Sequence, residues 1–207
     1  MGNGHQRYKP LRPCWALSLL LLVAGALNAA EPATGLADIE TDVGTITVEL
    51  YGAEAPKTVA QFQKLASKGW YKDRTFYRVV KDFVIQTGSG NGNNPTTKFQ
   101  KLPDEFNARP HIKGALAIAK GAEPNSGSTE FFIDLQEMPG MNGHYVVFAQ
   151  VVAGMDVVDA IANAPVTESW GGPEQKTPFH KPIKPVKIKA IKLRTASAEA
   201  AATVPQP

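Results

Sequence analysis

From residue 36 onward the chain is dominated by alternation of apolar and polar positions. Ile46, Val48 and Leu50 interleave with Thr45, Thr47 and Glu49, the period of two expected of a half-buried strand. Asp42, Val43 and Gly44 read as the turn joining that run to a first strand at residues 37–41. Similar runs at residues 75–80, 84–87, 115–119, 130–135, 145–152 and 186–193 bring the candidate strands to eight. Two segments change period. Val59, Phe62, Leu65 and Ala66 recur at helical spacing within residues 56–68, with Pro56 at a first-turn position that tolerates it. Val157, Val158 and Ile161 do the same within residues 155–162, where Asp156 comes early enough to suit the helix dipole. Strands that do not alternate with helices argue against a doubly wound sheet. They predict a mainly β fold: a closed eight-stranded antiparallel β-barrel capped by two α-helices.

The first 30 residues follow a different logic. Arg7, Lys9 and Arg12 precede an apolar run over residues 15–24, and small residues follow through Ala30, the order of a secretory signal peptide. The run falls short of the ~20 residues a spanning helix needs, so cleavage between residues 26 and 31 is expected rather than stable membrane insertion. Residues 1–30 carry three of the 22 basic side chains and none of the 19 acidic ones. The formal charge of +3 therefore disappears with the signal, and a basic nucleic-acid binder is disfavoured. Cys14 is the only cysteine, so the exported chain is free of thiols, as suits an oxidising compartment. What remains is one expected domain at residues 37–195 and a small-residue tail at 196–207 expected to be disordered. At 43% apolar and 20% charged, the composition is that of an ordinary globular protein.

Most of the candidate chemistry can be set aside. The glycine-rich stretch at residues 88–95 lacks the Gly-Lys-Ser/Thr ending of a phosphate loop. His111, His144 and His180 are not spaced as metal pairs, and no Gly-x-Ser-x-Gly elbow surrounds Ser126 or Ser128. No metal or cofactor is expected. Lys187, Lys189, Lys192 and Arg194 in the last strand read as charges that discourage edge pairing with another chain. One constellation stands out. Residues 76–88 place Phe76, Arg78, Phe83, Val84 and Gln86 on two strands joined by a tight connection, and parity puts Phe76, Arg78 and Val80 on one face.

This segment resembles the signature of the cyclophilin-type peptidyl-prolyl isomerases, with Phe-x-Arg-x-x-x-x-Phe-x-x-Gln-x-Gly intact from Phe76 to Gly88. Gly114 to Ala119 with Pro124, Asn125, Ser126 and the Phe131-Phe132-Ile133 run is similar to the family's second segment. Asn142 to Phe148 resembles its third, and Gly154-Met155-Asp156-Val157-Val158 its following helix. The likeness extends over about residues 37–194 and implies a cyclophilin-like fold. It implies catalytic roles for Arg78, Phe83, Gln86 and Phe132, and substrate contacts by Val84, Ala119, Lys120, Met141 and Tyr145, the backbone at Ala119 and Lys120 pairing with the substrate chain. Two departures matter. Gly140 stands where cyclosporin-sensitive members carry tryptophan, so cyclosporin binding is expected to be weak, and Glu130 replaces the usual glutamine before the Phe pair. With the signal peptide, the resemblance turns toward bacterial secreted members and a periplasmic location.

The implied reaction suits these residue types. Rotation about the X–Pro amide breaks resonance across a barrier of ~20 kcal/mol, and no bond is made or cut. At the twisted transition state the prolyl nitrogen regains its lone pair and accepts a hydrogen bond that the planar ground state refuses. A fixed arginine aimed there stabilises only the twisted form. Proline-containing segments of exported proteins are the implied partners, and a monomer is expected. The rival reading is a non-catalytic proline-segment binding module or chaperone on the same barrel, or a domain displayed through an uncut N-terminus.

Overall fold

The computed structural model describes residues 1–2, 35–89, 99–171 and 176–195. The expected signal peptide beyond its first two residues, its cleavage region, the 196–207 tail and most of the glycine-rich loop lie outside them. Eight strands form one antiparallel sheet: β1 (Gly35–Thr41), β2 (Gly44–Leu50), β3 (Arg78–Val80), β4 (Val84–Thr87), β5 (Ala115–Ile118), β6 (Phe131–Asp134), β7 (Val147–Ala153) and, last in the chain, β12 (Ile188–Thr195). The helices are α1 (Pro56–Ser67) and α2 (Met155–Ala162). Their order across the sheet is β12-β1-β2-β7-β5-β6-β4-β3.

The sheet curls strongly but does not close, which corrects the expected closed barrel. Its edges, β3 and β12, share no ladder. Beside them, Thr75 bridges to Lys187, flanked by the Phe76 N–H on the Val186 carbonyl at 3.0 Å, the Ile188 N–H on the Arg74 carbonyl at 2.8 Å and the Asp73 N–H on the Ile188 carbonyl at 2.9 Å. The reason lies in the third expected strand, of which only three residues pair along β4. Its first half turns away toward residues 186–188, while β12 uses its full length on β1. Lys192 and Arg194 on that edge reach back to Glu40 at 2.6 Å and Asp38 at 3.1 Å.

Inside the curl, Phe62 of α1 meets Phe148, Tyr71 and Phe131 at ring distances of 5.3, 5.5 and 5.7 Å. Edge and tilted aromatic contacts of this kind add about 0.5–1.5 kcal/mol each beyond their burial. Val157, Val158 and Ile161 of α2 join the same core. The β1–β2 turn has to be glycine at 44: a Cβ there would stand 2.5 Å from Val157 of α2, and its φ is +145°. The N-cap of α1 is Ala55, which offers no capping side chain. Glu105, nearly fifty residues on, supplies the cap, its carboxylate accepting the N–H groups of Lys57 at 3.0 Å and Thr58 at 2.8 Å. Among the described residues no helix is long and apolar enough to cross a membrane.

Four two-residue strands went unpredicted: β8 (Val166–Thr167), β9 (Trp170–Gly171), β10 (Thr177–Pro178) and β11 (Lys181–Pro182). β8 pairs with β11 and β9 with β10, so residues 166–171 and 177–182 nest as the two arms of a hairpin.

Candidate active site

The site follows from the pleat. In β4, β5 and β6 every residue is buried, because both faces are covered. Ile85, Leu116, Ile118, Phe131 and Ile133 point into the main core. The alternate residues Val84, Ala115, Ala117 and Phe132 form a second apolar cluster with Val147 and Met138 on the opposite face. Register then lines up Arg78, Gln86, Phe132 and Ala117 across β3, β4, β6 and β5. One expectation about this row fails. Phe76 does not share a face with Arg78; it lies in the main core, while Arg78 faces the groove. The parity breaks at Tyr77, whose N–H bonds to the Gln86 carbonyl at 3.1 Å although Gln86 is already the register partner of Arg78. Two residues opposing one is the geometry of a bulge, and a bulge re-aims the side chains that follow.

Over this row lies a groove of about 320 Å³. All nine residues singled out from the sequence line it. Val84 and Phe132 give a buried floor. Phe83, Met141 and Tyr145 are half-buried walls, with the Tyr145 ring edge-on to Phe132 at 5.4 Å. Ala119 and Lys120 stand at one end, where the Ala119 N–H is already committed to the Glu130 carbonyl at 2.9 Å. Asp82, with φ +56°, makes the turn that lifts Phe83 over the groove, a backbone region that Asp tolerates better than most residues. At the signature's end, Gly88 (φ +85°) leaves no room for a Cβ, which would stand 2.4 Å from the Thr129 carbonyl.

Arg78 and Lys120 are the two cations that line the groove, and Arg78 stands beside Gln86. The Arg78 Nε donates to the Pro178 carbonyl at 2.9 Å and one terminal nitrogen donates to Gln86 Oε1 at 2.9 Å. Of its five N–H donors these bonds engage two, leaving others for a ligand. Burial lowers its pKa, yet a guanidinium starts high enough to stay charged in water at neutral pH. The sequence model of the family described as "Cyclophilin type peptidyl-prolyl cis-trans isomerase/CLD" matches residues 36–193.

The chain belongs to the cyclophilin-type peptidyl-prolyl isomerases.

Similar proteins carry the same activity in their names. A probable peptidyl-prolyl cis-trans isomerase of Brucella suis is 34% identical over 74% of this chain and 87% of its own length. A peptidyl-prolyl cis-trans isomerase of Acinetobacter baylyi is 32% identical over 87% of this chain and 99% of its own. Among solved structures, a Cryptosporidium parvum cyclophilin type peptidyl-prolyl cis-trans isomerase in the presence of the dipeptide Ala-Pro superposes with a TM-score of 0.65. It is 26% identical, over 77% of this chain and 99% of that one. This cyclophilin is therefore an enzyme that isomerises X–Pro bonds.

Three features of the cyclophilin groove escaped the sequence reading. First, Gln86 is locked from both sides. Its Oε1 faces Arg78 and its Nε2 donates to Tyr77 Oη at 2.5 Å and Glu130 Oε2 at 3.0 Å, so donor and acceptor needs fix which way the amide points. Tyr77 Oη donates to the same Glu130 oxygen, and burial together with Glu130 raises the Tyr77 pKa, keeping the phenol protonated as a donor. Glu130 thus anchors the amide rather than standing free. Second, the hairpin arms 166–171 and 177–182 supply Gly171, Thr177 and Phe179 to the groove wall. Third, a buried pair backs the floor. His111 Nδ1 and Asp134 Oδ2 lie 2.7 Å apart with both side chains fully buried, and the His111 ring stacks on Phe132 at 6.1 Å. Nothing short-range in the sequence joins these partners: His111 lies ahead of β5 and Asp134 at the end of β6, and they meet only in the fold.

Beyond Gln86 the groove continues into a polar cavity of about 290 Å³ lined by Ser126, Ser128, Thr129 and Glu130. Lys120, shared by both cavities, is held by Asp104 at 2.7 Å. Burial tends to raise the Asp104 carboxyl, but Lys120 and the Asn125 N–H outweigh it and hold it below the ordinary range.

Proposed function

We propose that Arg78 is the transition-state donor of this isomerase, that Phe83, Phe132 and Met141 hold the pyrrolidine ring, and that Gln86 orients Arg78 and the substrate backbone. The observation carrying this reading is the pair of 2.9 Å bonds that clamp the guanidinium beside the apolar slot while leaving donors toward it. When the X–Pro amide twists, its nitrogen becomes an acceptor, and a pre-aimed cation stabilises that state without reorganising. The surrounding rings exclude water, so the bond acts in a medium of low polarity where it is stronger. Each tenfold acceleration requires about 1.4 kcal/mol of such preference. The Ala-Pro dipeptide named with the similar Cryptosporidium protein supports a proline ligand here.

Val84, Ala119, Lys120 and Tyr145 complete the substrate contacts. The clients are proline-containing segments of exported proteins, met after the first 30 residues have directed the chain across a membrane; a bacterial periplasm fits the signal-like N-terminus. A protease-coupled assay on a Pro-containing peptide tests the chemistry. Arg78→Ala is expected to lose about 10²–10³ in kcat, the usual cost of a transition-state donor, with its circular dichroism unchanged. Turnover like that of the wild type would refute the role. N-terminal sequencing of the exported protein tests the location; a start between residues 27 and 31 is expected, and an intact Met1 overturns it.

A further inference from the structure

The hairpin formed by residues 166–171 and 177–182 touches the Arg78 side chain, the adjoining backbone and the groove wall at once. Its residue 178 accepts the Arg78 Nε–H at 2.9 Å, and its residue 180 accepts the Val79 N–H at 3.0 Å. Between them, the Phe179 ring lies 5.8 Å from the Arg78 guanidinium, which also has the Phe83 ring at 5.5 Å. The same ring packs on Tyr77 at 5.8 Å, the phenol that holds Gln86. The hairpin backbone is itself braced. The Phe179 N–H donates to the Ser169 carbonyl at 2.8 Å, Ser169 Oγ returns a bond to the Phe179 carbonyl, and the Ser169 N–H donates to His180 Nδ1 at 3.1 Å.

A guanidinium has five donors and considerable rotamer freedom, and its aim decides whether it meets a nitrogen that accepts only in the twisted state. Gln86 alone restrains one terminal nitrogen and leaves rotation about that contact. A carbonyl on Nε and a ring beside the plane remove it. We infer that the hairpin arms 166–171 and 177–182 are a positioning element of the active site, in which Phe179 and the Pro178 carbonyl fix the Arg78 guanidinium. Phe179 is therefore a positioning residue for isomerisation. The inference rests on the assignment of Arg78 as the transition-state donor.

The test compares Phe179→Ala, Phe179→Leu and Phe179→Tyr in the full chain, each also combined with Arg78→Lys, by exchange NMR on a Pro-containing peptide. Loss of one cation–ring contact is expected to lower kcat about tenfold in Phe179→Ala while KM stays within about twofold. Tyr restores the rate and Leu does not. In the Arg78→Lys background, itself impaired, the alanine substitution has no further effect. Solvent exchange of the Arg78 Nε–H, read by nitrogen NMR without substrate, quickens in Phe179→Ala. A variant that fails to fold is recognised by its amide spectrum, and the leucine–tyrosine comparison then decides. Arg78→Lys impaired with Phe179→Ala at wild-type kcat, a rise in KM alone, full rescue by leucine, or an unchanged Nε–H overturns the inference and leaves Arg78 in place. Wild-type turnover by Arg78→Lys overturns the underlying assignment.

Discussion

Arg78 and Gln86 face one another across the β3–β4 ladder, and their side chains meet above it in a 2.9 Å hydrogen bond. The amide has no freedom to turn, since Glu130 and Tyr77 claim its other end. Gln86→Ala should therefore loosen the guanidinium without removing it, lowering kcat about tenfold, a loss of about 1.4 kcal/mol and milder than loss of Arg78. Steady-state kinetics on one Pro-containing peptide rank the two variants. Equal damage, or none for Gln86→Ala, would show that Gln86 does not act through Arg78.

Glu105 tests the fold independently of the groove. Its carboxylate caps α1 through the Lys57 and Thr58 N–H groups and also accepts the Thr58 hydroxyl at 2.8 Å. With no capping side chain at Ala55, nothing local replaces it. Glu105→Ala should cost about 1–2 kcal/mol, in the range for lost caps, while kcat and KM hold. Thermal unfolding followed by circular dichroism measures it, and an unchanged midpoint contradicts the long-range cap.

How far the chain could be read beforehand divides along the same lines as these interactions. Residues 46–50 and 155–162 announce themselves because their buried positions recur with the period of their element. The groove residues were legible through the Phe76–Gly88 frame, because two adjacent strands put much of the site in thirteen consecutive positions. Parity misled at Phe76, because a bulge at Tyr77 leaves no trace in composition. Closure was overestimated because the first half of the third strand alternates properly yet bonds elsewhere. The hairpin made by residues 166–171 and 177–182 was invisible for a third reason. Its ladders are two residues long and contain Pro178 and Pro182, so neither period nor propensity identifies a strand.

Asp134 makes stability depend on pH in a direction opposite to most carboxylates. Burial raises its pKa, with His111 opposing, so the folded state favours the protonated acid. Folding takes up a proton there. The contribution is complete below about pH 4, the ordinary carboxyl value, and is lost as pH rises through the raised one. Asp134→Asn carries a fixed neutral amide and should lose less stability than the wild type between mildly acidic and neutral pH. Urea unfolding at a series of pH values compares the slopes. Parallel profiles would exclude a proton uptake at this site.

Gly140 lies in the short 3₁₀ turn Pro139–Met141, next to the groove wall residue Met141. A Cβ built on it meets nothing within 4 Å, so the position is open rather than filled by a compensating neighbour. The family resemblance implies a tryptophan at this position in cyclosporin-sensitive members, so cyclosporin binding by the wild-type protein should be weak. Gly140→Trp adds an aromatic side chain at a position whose Cβ is unobstructed, and its effect should appear in cyclosporin affinity, raised about tenfold or more, a gain of about 1.4 kcal/mol. Isomerisation of a short Pro-containing peptide should stay within about twofold, because the catalytic clamp of Arg78 and Gln86 is untouched. Isothermal titration of both proteins with cyclosporin decides it: nanomolar binding by the wild type removes the role given to Gly140, and an unimproved Gly140→Trp shows that the deficit lies elsewhere in the groove.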